Sequence, residues 1–158
     1  MREIRTHGLM RGRPHRRNQG GTLYSTMQYT FVHFDPSIKV VVICANNLTS
    51  PGHAVGVLYH ELTHAYDDCK GTRWNDCEQR ACSEIRARKI SGECKPGGNK
   101  NQGRMMGGVL NFEKESDCVK KSAAASLKFA GCFPASDYIN PVYERCANDL
   151  SPFDKDSL

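Results

Sequence analysis

Eight cysteines, spread from residue 44 to residue 146, constrain the fold more than any other feature of this sequence. They make up about 5% of the 158 residues, which is more than a protein kept in reducing cytosol usually carries. None of them forms a CxxC pair, so a cysteine zinc ribbon is excluded. An even number of widely spaced cysteines favours a disulfide framework formed in an oxidising compartment.

The pairing of these cysteines is not fixed by their number, because eight cysteines allow 105 connectivities. One spacing gives a geometric expectation: Cys118, Cys132 and Cys146 each lie 14 residues apart. If helices near 113–130 and 136–148 form a hairpin that turns near Cys132, Cys118 comes to lie opposite Cys146. We therefore expect a Cys118–Cys146 disulfide.

The positive charge of the chain is concentrated at its N-terminus. Residues 1–20 contain six arginines and one acidic residue, whereas residues 21–158 carry 16 basic and 16 acidic residues. We expect the first segment to be a disordered basic arm; an organelle-targeting remnant, a contact with an anionic surface or leftover upstream sequence would each explain it. The neutral body lacks a basic patch with interleaved aromatic residues, which argues against nucleic-acid binding.

The body begins with sequence typical of a small sheet and a first helix. Residues 22–34 are rich in Thr, Tyr, Val and Phe, and residues 39–44 (KVVVIC) predict a buried strand. The longest apolar run, VVVICA, is far too short to cross a bilayer. Apolar residues at three-to-four spacing predict a helix from His53 to Asp67, with Ser50 as its cap and Pro51 at its first position.

Three further helices complete the predicted body. The first follows Asn75 or Asp76 and runs to about Ile90, and the other two are those of the hairpin above. Residues 96–111 contain five glycines and several amides, which predicts a mobile loop. The sequence therefore predicts an α+β fold, a short sheet plus a helical body stapled by disulfides, in one domain over residues 21–158.

The stretch LYHELTHAYDDC carries the strongest chemical signal. His60 and His64 lie four residues apart, so on a helix their imidazoles project from the same face and can take two corners of a Zn²⁺ tetrahedron. Glu61 is adjacent and can act on water without ligating the ion, which is its role as general base in H-E-x-x-H peptidases. A solvated polar helix face is the alternative, but the motif is rare by chance and stands on an amphipathic helix after an apolar strand.

A catalytic zinc site needs a third protein ligand, and Glu84 is the best candidate. It lies 20 residues after His64 on the next predicted helix, a spacing that resembles the gluzincin metalloproteases. Glu84 shares a helix face with Cys77 and Ala81, so it points inward, where an unpaired carboxylate is costly. The alternative is a salt bridge to one of the neighbouring arginines, Arg86 or Arg88.

The other metal-binding residue types have weaker claims. Asp67 and Asp68 follow His64 closely, but a carboxylate in such a place more often orients a histidine than ligates the metal. Cys69 and Cys82 could supply thiolates, yet a disulfide is the expected state of both in an oxidising compartment. The remaining histidines are expected at the surface or at a helix start: His7, His15, His33 and His53.

Several blocks of this sequence, taken in order from about Phe34 to Asp154, resemble a known family. They are CANN, HELTHAYDDC, ACSEIRARKISGEC, SDCVKKSA and ERCANDLSPFD. The order and content of these blocks are similar to those of the mitochondrial inner membrane metalloproteases that act in ATP synthase assembly. The block ACSEIRA…SGEC is much more specific than H-E-x-x-H alone.

The resemblance implies a zinc endopeptidase peripheral to the mitochondrial inner membrane, on its intermembrane-space side. It implies as partners the precursor of membrane-embedded ATP synthase subunit a, which such proteases process, and the membrane-sector subunits whose assembly they assist. His60 and His64 match the family's zinc ligands, Glu61 its catalytic residue and Glu84 the glutamate of its ACSE block. Relatives usually have histidines where this chain has Gln79, Arg80 and Glu115.

Two other functions fit part of these observations. A non-catalytic assembly chaperone would keep the same fold and bind hydrophobic client segments without hydrolysis. A secreted disulfide-rich metalloprotease would keep the chemistry but would carry a signal peptide, which we do not expect in this chain. The intact HELTH sequence favours the catalytic interpretation over the chaperone alone.

Overall fold

The computed structural model describes residues 32–95 and 114–153, to which all structural statements here refer. In these residues a two-stranded hairpin precedes four α-helices, which confirms the predicted α+β fold class. Three predicted segments lie wholly or mostly outside the described residues: the basic arm at 1–20, the loop at 96–111 and the segment 22–34, which the sequence predicts to contribute to the sheet. The strands are β1 (Val32–Asp35) and β2 (Val40–Ile43), and the helices are α1 (Pro51–Cys69), α2 (Cys77–Ile90), α3 (Glu115–Phe129) and α4 (Ser136–Ala147).

The hairpin lies against α1 and is anchored to it at both strands. β1 pairs antiparallel with β2, with Val32 opposite Ile43. Lys39, at the end of the turn, reaches back to the carboxylate of Asp68 on α1 at 2.7 Å. The prediction that β2 is buried is wrong, because Val40 and Ile43 are 44% and 48% exposed. A two-stranded hairpin with one helix against it leaves much of its apolar surface uncovered.

The starts of α1 and α2 follow from the capping residues that the sequence predicted. The Ser50 hydroxyl accepts a hydrogen bond from the backbone N–H of His53 at 3.1 Å, and Pro51 begins α1 where a missing N–H costs nothing. The Asp76 carboxylate accepts from the N–H groups of Glu78 and Gln79 at the start of α2. These bonds satisfy N–H groups that have no partner within the helix.

Helix α2 occupies the centre of the body and packs against α1, α3 and α4. The small residues Ala81 on α2 and Ala123 on α3 are fully buried in the core that these helices share. The core that fills the space between α2, α3 and α4 includes Ile85, Val119, Leu127, Ile139 and Val142, all almost fully buried. The faces of α2 that remain are therefore available to polar residues turned toward α1.

Three disulfides tie α2 and the turn after it to the last two helices: Cys77–Cys132, Cys82–Cys146 and Cys94–Cys118. The expected Cys118–Cys146 bond is wrong. The prediction assumed that α3 and α4 pack mainly against each other, but both pack against α2. Cys146 therefore bonds to Cys82 on α2, and Cys118 bonds to Cys94 just after α2.

The remaining cysteines, Cys44 and Cys69, are free. The disulfide expected for Cys69 is therefore wrong, while that expected for Cys82 is confirmed. Cys69 is exposed at the last residue of α1, away from the cysteines of α2, so no described thiol is paired with it.

Replacing Cys82 and Cys146 with alanine should lower the free energy of unfolding of the oxidised protein by about 4 kcal/mol, because the bond closes a loop of 64 residues. Urea denaturation followed by circular dichroism measures the change. Cys69→Ala is the matched control, since it removes an exposed free thiol and should unfold at the wild-type urea concentration. Equal stability of the double variant and the wild type would contradict the assigned bond.

Candidate metal centre

The two histidines of HELTH lie on one buried face of α1, and α2 brings Glu84 opposite them. The Nε2 atoms of His60 and His64 are 3.1 Å apart. Glu84 Oε2 lies 3.8 Å from Nε2 of His60, and Glu84 Oε1 lies 3.8 Å from Nε2 of His64. One potential ligand atom from each of the three residues lies within 4.8 Å of the other two. The structure thus brings together the three ligands that the sequence predicted.

The hydrogen bonds around His64 determine which of its ring nitrogens carries the proton. The Ser83 hydroxyl donates to Asp67 at 2.7 Å, so its oxygen must accept from His64 Nδ1, 2.8 Å away. Nδ1 therefore carries the hydrogen, and the lone pair of Nε2 points toward His60 and Glu84. Burial lowers the pKa of His64 to about 4, which keeps the imidazole neutral, as a metal ligand must be.

A carboxylate also faces Nδ1 of the other histidine, His60. Glu93 places Oε1 at 3.3 Å from Nδ1 of His60. An ionised carboxylate can only accept hydrogen bonds, so it favours the tautomer of His60 with the proton on Nδ1. Although burial alone would raise the pKa of Glu93, contacts with His60 and Arg88 lower it to about 2. In this tautomer His60 also directs an Nε2 lone pair into the cluster.

This arrangement fits a bound cation better than it fits a protein without one. Two Nε2 lone pairs that face each other at 3.1 Å repel unless a positive charge lies between them. The Oε2 atom of Glu84 is buried and has no hydrogen-bond partner. Two ligands of a tetrahedral Zn²⁺ are about 3.3 Å apart, close to the separation of the two nitrogens and somewhat shorter than their distances to Glu84.

A buried ion pair supports the histidine side of the cluster from behind. Asp67 accepts from Ser83 with one oxygen and pairs with the Arg86 guanidinium through the other. Arg86 also donates to the backbone carbonyls of Asp149, at 3.0 Å, and of Ser151. Asp67 therefore orients His64 through Ser83, which is the role that the sequence favoured for a carboxylate in this place. Asp68 does not take part: it binds Lys39 and the indole N–H of Trp74.

Glu61 lies beside the cluster and is held by the hairpin. Its Oε2 accepts a hydrogen bond from the backbone N–H of Phe34 in β1 at 2.7 Å. Burial raises the pKa of Glu61, although His60 and the Phe34 N–H act in the opposite direction. One oxygen is thus fixed and the other remains available, on a carboxylate made more basic than a solvated one.

Aromatic residues cover one side of the site. The Trp74 ring meets the ring of His64 edge to face at 5.8 Å and lies 6.3 Å from that of Phe34. The Arg80 guanidinium stands over Trp74 and donates to its carbonyl oxygen. The rings of Trp74 and Phe34 restrict the access of water to His64, and a lower local dielectric strengthens the electrostatic interactions of the cluster.

The arginines considered as partners for Glu84 bind other acids instead. Arg86 pairs with Asp67, and Arg88 pairs with Glu93. Glu84 is left facing the histidines, which favours its interpretation as a ligand.

The sequence alone did not identify Ser83 and Glu93 as residues of the site. The one available signal was their place in the blocks ACSE and SGEC. His53 lies at the start of α1, with Nδ1 near the Thr49 hydroxyl at 3.0 Å.

Comparison with known proteins gives a consistent result. A model of the Peptidase M76 family matches residues 22–154. The chain is 33% identical over 119 residues to a mitochondrial inner membrane protease ATP23 of Yarrowia lipolytica, covering 72% of this chain and 46% of that protein. It is equally similar to the proteins of the same name in Schizosaccharomyces pombe, over 74% of this chain and 64% of that protein, and in Aspergillus niger, over 77% and 52%.

The chain thus spans 46–64% of the length of these three curated relatives. No solved structure matches it significantly. In the described part of the chain, no helix combines the length and the apolar character needed to cross a membrane.

If the three side chains form a metal site, replacing any one of them with alanine should remove most of the metal bound by the purified protein. The variants are Glu84→Ala, His60→Ala and His64→Ala. The reason is that two ligands bind Zn²⁺ far more weakly than three. Elemental analysis after gel filtration gives the metal content per chain. His33→Ala is the control, since His33 lies on β1 outside the cluster. One metal ion per chain in Glu84→Ala would remove Glu84 from the ligand set.

Proposed function

The chain belongs to the peptidase M76 family, and on that premise we propose that residues 21–158 form a zinc metalloendopeptidase domain. The observation that carries the proposal is the convergence of two imidazoles and one carboxylate beside a second carboxylate, that of Glu61, whose pKa is raised by burial. His60, His64 and Glu84 would hold the metal, which leaves a fourth position for water or substrate, as catalytic zinc sites require.

The metal, when bound, supplies a Lewis acid that polarises the scissile carbonyl and acidifies water. The residues of the chain carry out the proton transfer and hold the ligands in position. Glu61, with Oε2 tied to the Phe34 N–H, offers its other oxygen to take a proton from the attacking water and to deliver it to the leaving amine. Its raised pKa suits this exchange, because a more basic carboxylate accepts the proton more readily. Ser83 and Asp67 keep His64 in the ligating tautomer.

We also propose where this domain acts and on what. Its relatives bear the name mitochondrial inner membrane protease, which supports a place at that membrane. Three disulfides support an oxidising compartment and hence the intermembrane-space side. The substrate proposed is the precursor of the membrane-embedded ATP synthase subunit a, with a role in assembly of the membrane sector, as the sequence resemblance implies.

Glu61→Gln is the sharpest test of the catalytic role. Glutamine keeps an oxygen that can accept from the Phe34 N–H but cannot take a proton from water, so cleavage should fall by about 100-fold or more while the metal content is unchanged. Cleavage of a peptide spanning the presequence junction of subunit a, followed by mass spectrometry, measures the rate.

Glu144→Gln, at an exposed position of α4, is the matched control and should cleave at the wild-type rate. Cleavage by Glu61→Gln at that same rate would show that Glu61 is not the general base. If ATP synthase assembly in cells survives the Glu61→Gln change while processing stops, the chain also acts as a non-catalytic assembly chaperone.

A further inference from the structure

Glu93 is a buried acidic residue just outside the proposed ligand set. It follows α2 by three residues, in the turn that ends the first described segment, and its side chain is 9% exposed. Oε1 lies 3.3 Å from His60 Nδ1, and Oε2 pairs with the guanidinium of Arg88. A buried carboxylate needs such partners, because without them its charge is costly.

The contact with His60 is the one that bears on the metal. Nδ1 of His60 is buried and makes no well-aligned hydrogen bond to any described residue, so the Glu93 carboxylate at 3.3 Å is the polar group that faces it. A carboxylate behind a ligating histidine fixes its ring and raises its basicity. His64 has an equivalent support in Ser83, so each imidazole has its own.

The turn that carries Glu93 is tied down covalently. Gly92 adopts a left-handed φ of 68°, and Lys95 N–H bonds back to the Gly92 carbonyl at 3.1 Å, which closes the turn. Cys94, the residue after Glu93, is bonded to Cys118 on α3. Arg88 holds Glu93 from within α2, and the disulfide holds it from α3. The Glu93 carboxylate is therefore held near His60 by its ion pair with Arg88 and by the disulfide of the neighbouring residue, Cys94.

We propose that Glu93 is the positioning residue for His60, and that the Cys94–Cys118 disulfide holds it in place, so that metal affinity depends on that bond. The proposal rests on the proposed zinc site. It assigns to one of the three disulfides a role in the site itself, whereas Cys77–Cys132 joins α2 to the α3–α4 turn at the far end of the helix from Glu93.

The first test measures Zn²⁺ affinity by competition with a chromogenic chelator, on folded protein without substrate. Glu93→Gln should bind Zn²⁺ about 10–100-fold more weakly than the wild type, because the charged acceptor behind His60 is lost. Arg88→Met/Glu93→Gln leaves no unpaired guanidinium and should show a similar loss, which separates positioning from instability. Glu144→Gln is the control with unchanged affinity.

The second test concerns the disulfide. Cys94→Ala/Cys118→Ala should weaken Zn²⁺ binding by a factor close to that of Glu93→Gln, and adding Glu93→Gln to it should change little more. Cys77→Ala/Cys132→Ala should lower the unfolding midpoint of the metal-free protein but leave the affinity unchanged.

The possible failures are distinguishable. Wild-type affinity in Glu93→Gln overturns the positioning role while the zinc site stands, and full additivity with the disulfide variant overturns the link between them. A wild-type protein that binds no Zn²⁺ overturns the proposed function itself.

Discussion

The buried ion pair between Asp67 and Arg86 connects more of this structure than any other interaction. Arg86 holds the carbonyls of Asp149 and Ser151, which fixes the segment after α4 against α2. Asp67 holds Ser83, which in turn holds His64. Each charge is almost fully buried, so the loss of Arg86 would leave Asp67 without its ionic partner at a cost of about 3–5 kcal/mol, whereas Arg86 would keep the Asp149 carboxylate at 3.2 Å. The C-terminal segment, the α1–α2 contact and the orientation of one histidine thus depend on a single pair.

The parts of the fold that sequence reasoning predicted correctly are those decided by local interactions. Ser50, Pro51 and Asp76 mark the starts of α1 and α2 because capping involves only the first turn of a helix. The disulfide partners were wrong because they depend on which helix lies in the centre, and the sequence of α2 gives little sign of this. Its apolar residues form no clear stripe, since polar residues on another face are also buried against α1.

The candidate site also contains residues that a local sequence pattern places together and residues that only tertiary contacts bring there. The proximity of His60, Glu61 and His64 could be predicted because a helical repeat places them together, and that of Glu84 because it lies on the next helix after α1. Ser83 and Glu93 could not be assigned from sequence. Ser83 orients His64 only because Asp67 takes its proton, and Glu93 reaches His60 only because the chain turns back at Gly92. Both depend on contacts between segments whose relative position no local pattern records.

The polar interior of α1 and α2 also explains why so small a domain carries three disulfides. The site holds two facing imidazole lone pairs, an unbonded oxygen of Glu84 and the carboxylates of Glu61 and Glu93 in a buried space. These groups contribute little to folding before a cation joins them, since buried charge and lone-pair repulsion oppose the hydrophobic gain. The Cys77–Cys132 and Cys82–Cys146 disulfides fasten α2 to α4 and to the turn before it, and they reduce the entropy of the unfolded chain. If the site binds a metal as proposed, the ion would relieve the repulsion and add its own free energy to folding, and the disulfides would keep the site assembled before the ion binds.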